Sequence, residues 1–210
     1  MPLGDSAILM QFSPMLDEGA NKRAIKFTKF LVTQNHPAIK EITPSLISVL
    51  ISYDFTKISY NNLAGELRLV YSLMPKIIDE SEAETYKIDI VFDGEDLAEV
   101  AHNLSLSIEE FIRLHNEKSL RVLTTGFAPG FIYTGMHPNE LHLPRREVIK
   151  PSVPAGSVLF AAGQTAITAT AIPTGWHVIG NTNFLNFNAN NNPPTILNSG
   201  DLISFKSVKK

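Results

Sequence analysis

The sequence contains no cysteine, which excludes disulfide bonds, thiolate metal sites and a cysteine nucleophile. No charge sign dominates, because 18 basic and 21 acidic residues leave a net charge of −3, too small to attract nucleic acid or an anionic membrane. Residues 1–12 lack the pattern of a secretory signal, and no apolar run reaches the roughly 18 residues of a membrane-spanning helix. We therefore expect a cytoplasmic globular protein without nucleic-acid or membrane partners.

Several sequence motifs of catalytic sites are also missing. There is no Gly-x-x-x-x-Gly-Lys phosphate loop, no Gly-x-Gly-x-x-Gly turn and no Gly-x-Ser-x-Gly elbow. Four residues separate His137 from His142, whereas a helical zinc site would have three between its histidines. The sequence therefore predicts no metal site and offers no clear covalent nucleophile.

The first part of the chain, over residues 1–93, alternates between strand and helix patterns. Apolar residues recur at helical spacing in Glu18–Val32 and Asn61–Met74, and β-prone runs occupy Ser6–Phe12, Ser45–Asp54 and Tyr86–Asp93. This order predicts an α+β sandwich with helices on one face of a largely antiparallel sheet. If Ile39–Ser52 forms two strands separated at Pro44, the plan is ferredoxin-like.

Residues 94–118 read as a helical connector between two domains. Helices are predicted over Asp96–Asn103 and Ser107–Glu117, and Ser107 and Glu110 have the spacing of a capping box. His115 lies on the apolar stripe of the second helix and should point at the core or the domain seam. Two interpretations stay open: a buried histidine satisfied by hydrogen bonds, and a histidine that transfers a proton.

Residues 119–210 lack helical stripes and contain short β-prone runs separated by turns rich in Gly and Pro. The runs are RVLTT, SVLFAA, AITATAI, WHVIGNT and LISFKSV. Such a pattern is typical of a compact β-barrel or sandwich, so we expect an all-β domain here. The Asn- and Pro-rich segment Asn186–Asp201 is predicted to be a surface loop before the last strand.

Three turn-rich segments of this domain are candidates for a binding site. In GFAPGF (Gly126–Phe131), the glycines and Pro129 favour a turn whose exposed amides bind an anion, although a tight barrel corner explains the same residues. In LPRREVIKPSVPAGSV (Leu143–Val158), the basic residues form either an anion-binding fork or a solvated loop. In IPTGWHVIGNT (Ile172–Thr182), Trp176 is either a core residue or the wall of a pocket.

Together these motifs resemble one family. The segments PLGDSAILMQF, GFAPGFIY, LPRR, VPAGSV, PTGW, VIGNT and SGDLISF occur in its order, with His115 at a helix end, and the match spans nearly the whole chain. The family is that of the B subunit of 5-oxoprolinase, also described as allophanate hydrolase subunit 1 and as the sporulation-kinase inhibitor Kip. The resemblance implies an N-terminal α/β domain and a C-terminal cyclophilin-like β-barrel, and related domains form the carboxyltransferase part of urea carboxylase.

The resemblance also implies a function. Family members work with A and C subunits as partners, and the assembly uses ATP to open the lactam of 5-oxo-L-proline to L-glutamate, so this chain is expected to be a hydrolase subunit that is inactive alone. The resemblance leaves open which of the subunits holds ATP. An alternative, which the Kip name implies, is a regulatory binding module that inhibits a sensor histidine kinase.

The resemblance places substrate-binding residues in the three turn-rich segments. They are Gly126, Phe127, Pro129, Gly130, Phe131, Arg145, Lys150, Gln164 and Trp176, with His115 as a candidate for proton transfer. The chain departs from the family pattern at several of these segments: Ile149-Lys150 stands for Pro-Arg, Thr168-Ala169 for Tyr-Pro, and Asn181 for an arginine. The expected pocket therefore lacks two arginines and a tyrosine, which predicts either a different small amide or a site that has decayed.

Overall fold

The protein is described by a computed structural model that covers residues 1–75 and 83–209. The chain divides into two compact units, Met1–Glu82 and Ala83–Lys210, which we call the N-terminal and the C-terminal unit. None of the helices within these described residues combines the length and the apolar character needed to cross a membrane.

The N-terminal unit packs two helices against an antiparallel sheet. In the described part of the chain the sheet has four strands in the order β1-β2-β4-β3, with bounds β1 Pro2–Leu3, β2 Ala7–Gln11, β3 Ile39–Ser45 and β4 Ser48–Tyr53. The helices are α1 Glu18–Thr33 and α2 Tyr60–Leu73. Both begin at predicted amphipathic stripes, and their buried residues, which include Phe27 and Leu63, pack on the strand residues Val49 and Ile51. The predicted helices and strands of this unit are thus present within two or three residues of their expected ends.

In a ferredoxin-like sheet, the strand after the second helix would occupy the edge beside β2. In this structure a different strand lies there. The edge beside β2 is taken by the N-terminal strand β1. The strand predicted at Tyr86–Asp93 for this domain is β5, Thr85–Ile90, and it pairs in parallel with β13, Leu202–Ser207, in the C-terminal unit. Its buried residues Ile88 and Ile90 belong to the core of that unit, which fixes the strand there. The first domain therefore ends earlier than residue 93.

The C-terminal unit is built on a curled sheet. Among the described residues the sheet has seven strands in the order β12-β9-β10-β7-β6-β13-β5, beside a two-stranded pair β11-β8. The remaining bounds are β6 Leu120–Thr125, β7 Ile132–Gly135, β8 Lys150–Val153, β9 Ser157–Ala161, β10 Gln164–Ile167, β11 Ile172–Thr174 and β12 His177–Asn181. A bridge between Val91, just after β5, and Asn181 of β12 joins the two edges. The sheet therefore curls until its edge strands meet.

Both faces of this curled sheet are buried over β9 and β10. Val158, Phe160 and Ile167 point into the large core inside the curl. Leu159, Ala161 and Ala166 belong to a second cluster on the opposite side, which we call the outer face. Alternation of side chains along a strand explains this division. The near-continuous apolar sequence SVLFAA is thus a strand covered on both sides.

The two helices predicted as a separate connector are part of the C-terminal unit. They are α3 Leu97–Asn103 and α4 Ile108–His115, and Val100 and Phe111 contribute to the core inside the curl. The Ser107 hydroxyl accepts a hydrogen bond from the Glu110 amide at 3.1 Å, as half of the predicted capping box. The region over 94–118 therefore belongs to the second unit because its apolar stripe packs into that unit's core.

Candidate functional site

The candidate site lies on the outer face of the curled sheet, where the register brings one row of residues together. Ala161 pairs with Gln164 across β9 and β10, and continuation of the β10–β7 register places Gly135 on the other side of Gln164. Trp176 precedes His177, which pairs with Phe160, so Trp176 extends the row beside Ala161. Gln164 is therefore flanked by two small residues, Ala161 on one side and Gly135 on the other.

An aromatic ladder runs over the same face. The ring centroids of Phe127 and Phe131 are 5.6 Å apart, those of Phe131 and Tyr133 are 4.7 Å apart, and those of Tyr133 and Trp176 are 5.8 Å apart. The Arg145 guanidinium carbon lies 5.6 Å from the centre of the Trp176 ring, within the range of a cation–π interaction. We call Phe127, Phe131, Tyr133, Trp176 and Arg145 the aromatic ladder. It joins side chains from all three turn-rich segments.

The GFAPGF turn carries the first rung of the ladder. The Gly126 amide donates to the Phe131 carbonyl, and the Phe131 amide donates to the Ala128 carbonyl, both at 3.1 Å, so these two amides serve the turn itself. Gly130 has φ +69°, and a Cβ there would lie 2.5 Å from the Phe187 Cβ. The segment is therefore a tight corner, as the structural interpretation of its sequence predicted, and it presents Phe127 with 71% of its surface exposed.

Gln164 supplies the polar group of the row. The residue is 6% exposed, and its Nε2 atom is buried without a hydrogen-bond partner among the described residues. A buried amide nitrogen without a partner is unfavourable, and most such groups in folded proteins are satisfied. Gln164 Nε2 is therefore a buried donor without a partner in the described structure, on the same face as the aromatic ladder.

Tyr133 belongs to the ladder but was not among the predicted site residues. Burial raises the pKa of its phenol, while the charge of Arg145 opposes that shift. The hydroxyl thus stays protonated near neutral pH and can act as a hydrogen-bond donor. The sequence signal was available, because Phe131 and Tyr133 are two residues apart and must share one face of a strand.

Lys150 and Arg146 do not join the ladder. The Lys150 Nζ atom contacts Glu95 and lies 3.1 Å from Asp96, and the Arg146 guanidinium lies 2.7 Å from Asp96. Asp96 is 5% exposed and also accepts a hydrogen bond from the Val178 amide at 2.7 Å. These charges tie α3 to β12 and to the basic loop. Lys150 thus forms an internal ion pair with carboxylates of a distant segment, and its contact with a substrate stays a prediction.

His115 lies inside the curl, with its side chain among core residues rather than on the outer face. Its Nε2 atom is 2.8 Å from the Thr165 hydroxyl, which is also 2.8 Å from His137 Nε2, and its Nδ1 atom is 2.7 Å from Asn116 Oδ1. Burial lowers the pKa of His115 to about 4, against a smaller opposing effect of the Asn116 hydrogen bond. Burial and the neighbouring His115 also lower the pKa of His137. The arrangement corresponds to the buried, hydrogen-bonded interpretation of His115.

The described residues contain no group of three or more His, Asp or Glu side chains arranged to hold a metal ion. A model of the carboxyltransferase domain, subdomain C and D, matches residues 1–197 of this chain. The chain belongs to this carboxyltransferase-domain family. The B subunit of 5-oxoprolinase from Bacillus subtilis (strain 168) is a curated relative that is 31% identical to this chain over 221 residues. The match covers 99% of this chain and 92% of the relative.

Two solved structures of other proteins contain a region with a similar fold. The crystal structure of TTHA0988 matches with a TM-score of 0.83 at 29% identity, over 97% of this chain but only 40% of the solved chain. The urea carboxylase of Kluyveromyces lactis matches with a TM-score of 0.79 at 16% identity, over 97% of this chain and 21% of that chain. At 16% identity the likeness concerns the fold alone, a mixed α/β fold with a curled sheet.

Two of the residues that depart from the family pattern, Thr168 and Ala169, have structural contacts here. Thr168, where the resemblance leads us to expect a tyrosine, is fully buried; its hydroxyl accepts from the Ser157 amide at 2.9 Å and donates to the Pro154 carbonyl at 2.8 Å. The methyl group of Ala169 would lie 2.8 Å from a Cβ at Gly130. Thr168 and Ala169 thus fill a packed corner of this carboxyltransferase-family chain, next to the turn that carries the ladder.

Proposed function

We propose that the chain is part of an ATP-dependent 5-oxoprolinase-type amidohydrolase, which converts 5-oxo-L-proline to L-glutamate and requires A and C subunits as partners. The name of the Bacillus subtilis relative supports the reaction class. The observation that carries the proposal is the convergence of a cation, aromatic rings and an unsatisfied amide on one face, at Arg145, Trp176 and Gln164. A small cyclic amide with a carboxylate presents the complementary groups.

The proposed roles follow from the chemistry of the ladder. The Arg145 guanidinium would pair with the substrate carboxylate, because a planar fork matches a carboxylate in two hydrogen bonds. Trp176 and Tyr133 would pack against the ring. The ladder's ionisable groups are then a guanidinium and a phenol with a raised pKa, and neither accepts a proton near neutral pH. The chain would therefore bind and orient the substrate, and we expect it to be inactive without partners.

The basic loop beside the ladder does not fit a triphosphate. Arg146 and Lys150 already form ion pairs with Asp96, Glu95 and Glu99 within the chain. Binding of a nucleotide by these groups would leave Asp96 buried without its partners, which is costly. We therefore place ATP on a partner protein of the complex and assign no step of the reaction on this chain to it.

The finer fold assignments are also proposals. The C-terminal unit would be a cyclophilin-like barrel, supported by the bridge that joins its edge strands. The N-terminal unit would be a ferredoxin-like variant whose fourth strand position is taken by β1. The binding function would then belong to the C-terminal unit, since every residue of the aromatic ladder lies in it.

Co-expression with the A and C subunits tests the proposal. The assembled complex is expected to release glutamate from 5-oxo-L-proline when ATP is present, and the chain alone is expected to release none. A correctly assembled complex without this activity would overturn the proposed function. Inhibition of a sensor histidine kinase by the same purified chain would then favour the alternative regulatory role.

A further inference from the structure

The N-terminal unit has a groove of about 210 Å³ between helix α2 and the edge strand β2, which we call the α2 groove. Residues 8–11 of β2 form one wall. The other wall is a single face of α2, because Tyr60, Ala64, Leu67 and Arg68 are one or two helical turns apart. Cavities for drug-sized molecules measure roughly 300–1,000 Å³, so the α2 groove suits a smaller ligand with a short chain or one ring.

The groove exists because the edge strand β1 is short. β1 pairs with Ala7 and Ile8, and Met1 exchanges two backbone hydrogen bonds with Leu9, at 2.9 and 3.1 Å. Backbone groups alternate in direction along an antiparallel strand, so Gln11 is the next residue of β2 that faces this edge. A peptide strand added beside β2 would find Gln11 as its one free backbone partner among the described residues of β2. The groove therefore favours a small molecule over an added strand.

The lining of the α2 groove is largely apolar. Ile8 and Leu67 are each 2% exposed and belong to the core of the N-terminal unit. Met10, Tyr60 and Ala64 are half-buried and pack against the same core. Transfer of an aliphatic chain from water onto such a surface is favourable.

Arg68 gives the α2 groove a positive charge. It forms no ion pair or hydrogen bond with another residue that the structure describes, whereas each of the other five arginines contacts a carboxylate, a backbone carbonyl or an aromatic ring. No Asp or Glu is among the described residues that line this groove. A second groove of about 260 Å³, beside β3, is lined by both Lys40 and Glu41, whose charges cancel. The α2 groove is therefore the one of the two that is complementary to an anion.

We infer that the α2 groove binds a small monocarboxylic acid with an apolar tail. The tail lies on Ile8, Met10 and Leu67, and the carboxylate pairs with the Arg68 guanidinium, whose planar fork matches a carboxylate in two hydrogen bonds. The groove belongs to the N-terminal unit, whereas the aromatic ladder belongs to the C-terminal unit. This binding is therefore a second function, independent of the proposed reaction.

Titration of the purified full-length chain with octanoate, followed by NMR of ¹³C-labelled methionine methyl groups, tests the inference. The Met10 methyl signal should shift to saturation, and that of Met136, in the C-terminal unit, should not move. Octanamide has the same chain without the charge and should bind about 10-fold more weakly, as expected for loss of one charge-assisted contact at an exposed arginine. Arg68→Ala should weaken octanoate binding by a similar factor and remove the preference over octanamide. The matched control Lys40→Ala should bind octanoate as the wild type does.

A further variant tests the location of the site. Ala64→Leu places a larger side chain in the α2 groove from a residue type that favours helices, so it should keep the fold and reduce octanoate binding. Absence of a saturable Met10 shift in the wild type would overturn the inference, and so would equal binding of octanoate and octanamide. Wild-type affinity for octanoate in Arg68→Ala would also overturn it.

Discussion

The buried histidine pair is expected to make the C-terminal unit sensitive to acid. His115 and His137 both contact the Thr165 hydroxyl at 2.8 Å, and their rings are 4.7 Å apart. The other rings that contact them are those of Phe92, Phe111, Phe160 and Phe205, which carry no charge. His115 Nδ1–H donates to Asn116, Thr165 donates to His115 Nε2, and His137 Nε2–H donates to Thr165. Protonation of His115 breaks this chain at the Thr165 contact.

The sign and size of the effect follow from the pKa of His115. Its folded-state pKa lies at about 4, below its ordinary value of 6.5, so the unfolded chain binds the proton more readily. The contribution of neutral His115 to the free energy of unfolding is therefore fully present well above pH 6.5. It is lost as the pH falls from 6.5 towards 4. Linkage gives a loss of about 2–3 kcal/mol near pH 4.5 from His115 alone. The lowered pKa of His137 adds to the loss in the same direction.

Urea unfolding at a series of pH values measures this loss. The only tryptophan, Trp176, lies in the C-terminal unit and reports its unfolding by fluorescence. His115→Gln should be less stable at pH 8 but should show a much smaller loss between pH 7 and pH 4.5. The matched control is His102→Gln, at an exposed histidine of α3, which should follow the wild type. A wild-type free energy that stays constant over this range would refute the reasoning.

Three further predictions concern stability of the C-terminal unit and are measured by the same urea unfolding. Asp96→Asn should cost about 1–3 kcal/mol, because it removes the buried carboxylate that pairs with Arg146 and Lys150, which keep Glu99 and Glu95 as partners; unchanged stability would contradict the ion-pair account. Gly130→Ala should destabilise by more than about 1 kcal/mol through its positive φ and the contact with Phe187, whereas Gly65→Ala in α2 has open space and should be neutral or stabilising. Thr165→Val should cost about 2–4 kcal/mol by leaving two buried histidine nitrogens unpaired, and equal stability would exclude the proposed hydrogen-bond chain.

Local patterns in the sequence predicted the local structure well. The helix over Glu18–Thr33 follows directly from its apolar spacing, and the end of α2 before Pro75 from the missing amide of proline. The Ser107 cap was visible in the sequence for the same reason, since its partner is three residues away. These features depend on residues that are close together in the chain, so they can be predicted from the sequence alone.

Long-range pairing explains what the sequence did not predict. Strand β5 has an alternating pattern that any sheet accepts, and only its parallel pairing with β13 assigns it to the C-terminal unit. Lys150 reads as a free cation until the fold brings Glu95 and Asp96 to it. The resemblance named Trp176, Arg145 and Gln164 together, and the structure places them on one face, but their role in binding stays a prediction. The buried contact between His115 and His137 depends on β10, which supplies Thr165 between them.

The cation above Trp176 is the group on which the proposed binding site depends most. The direct measurement is kcat/KM for ATP-dependent cleavage of 5-oxo-L-proline by the complex assembled with Arg145→Ala, beside the control Arg113→Ala at an exposed arginine of α4. Loss of one charge-assisted contact predicts a fall of about 10- to 100-fold for Arg145→Ala and no change for the control. Wild-type kcat/KM in the Arg145→Ala complex would contradict the proposed site.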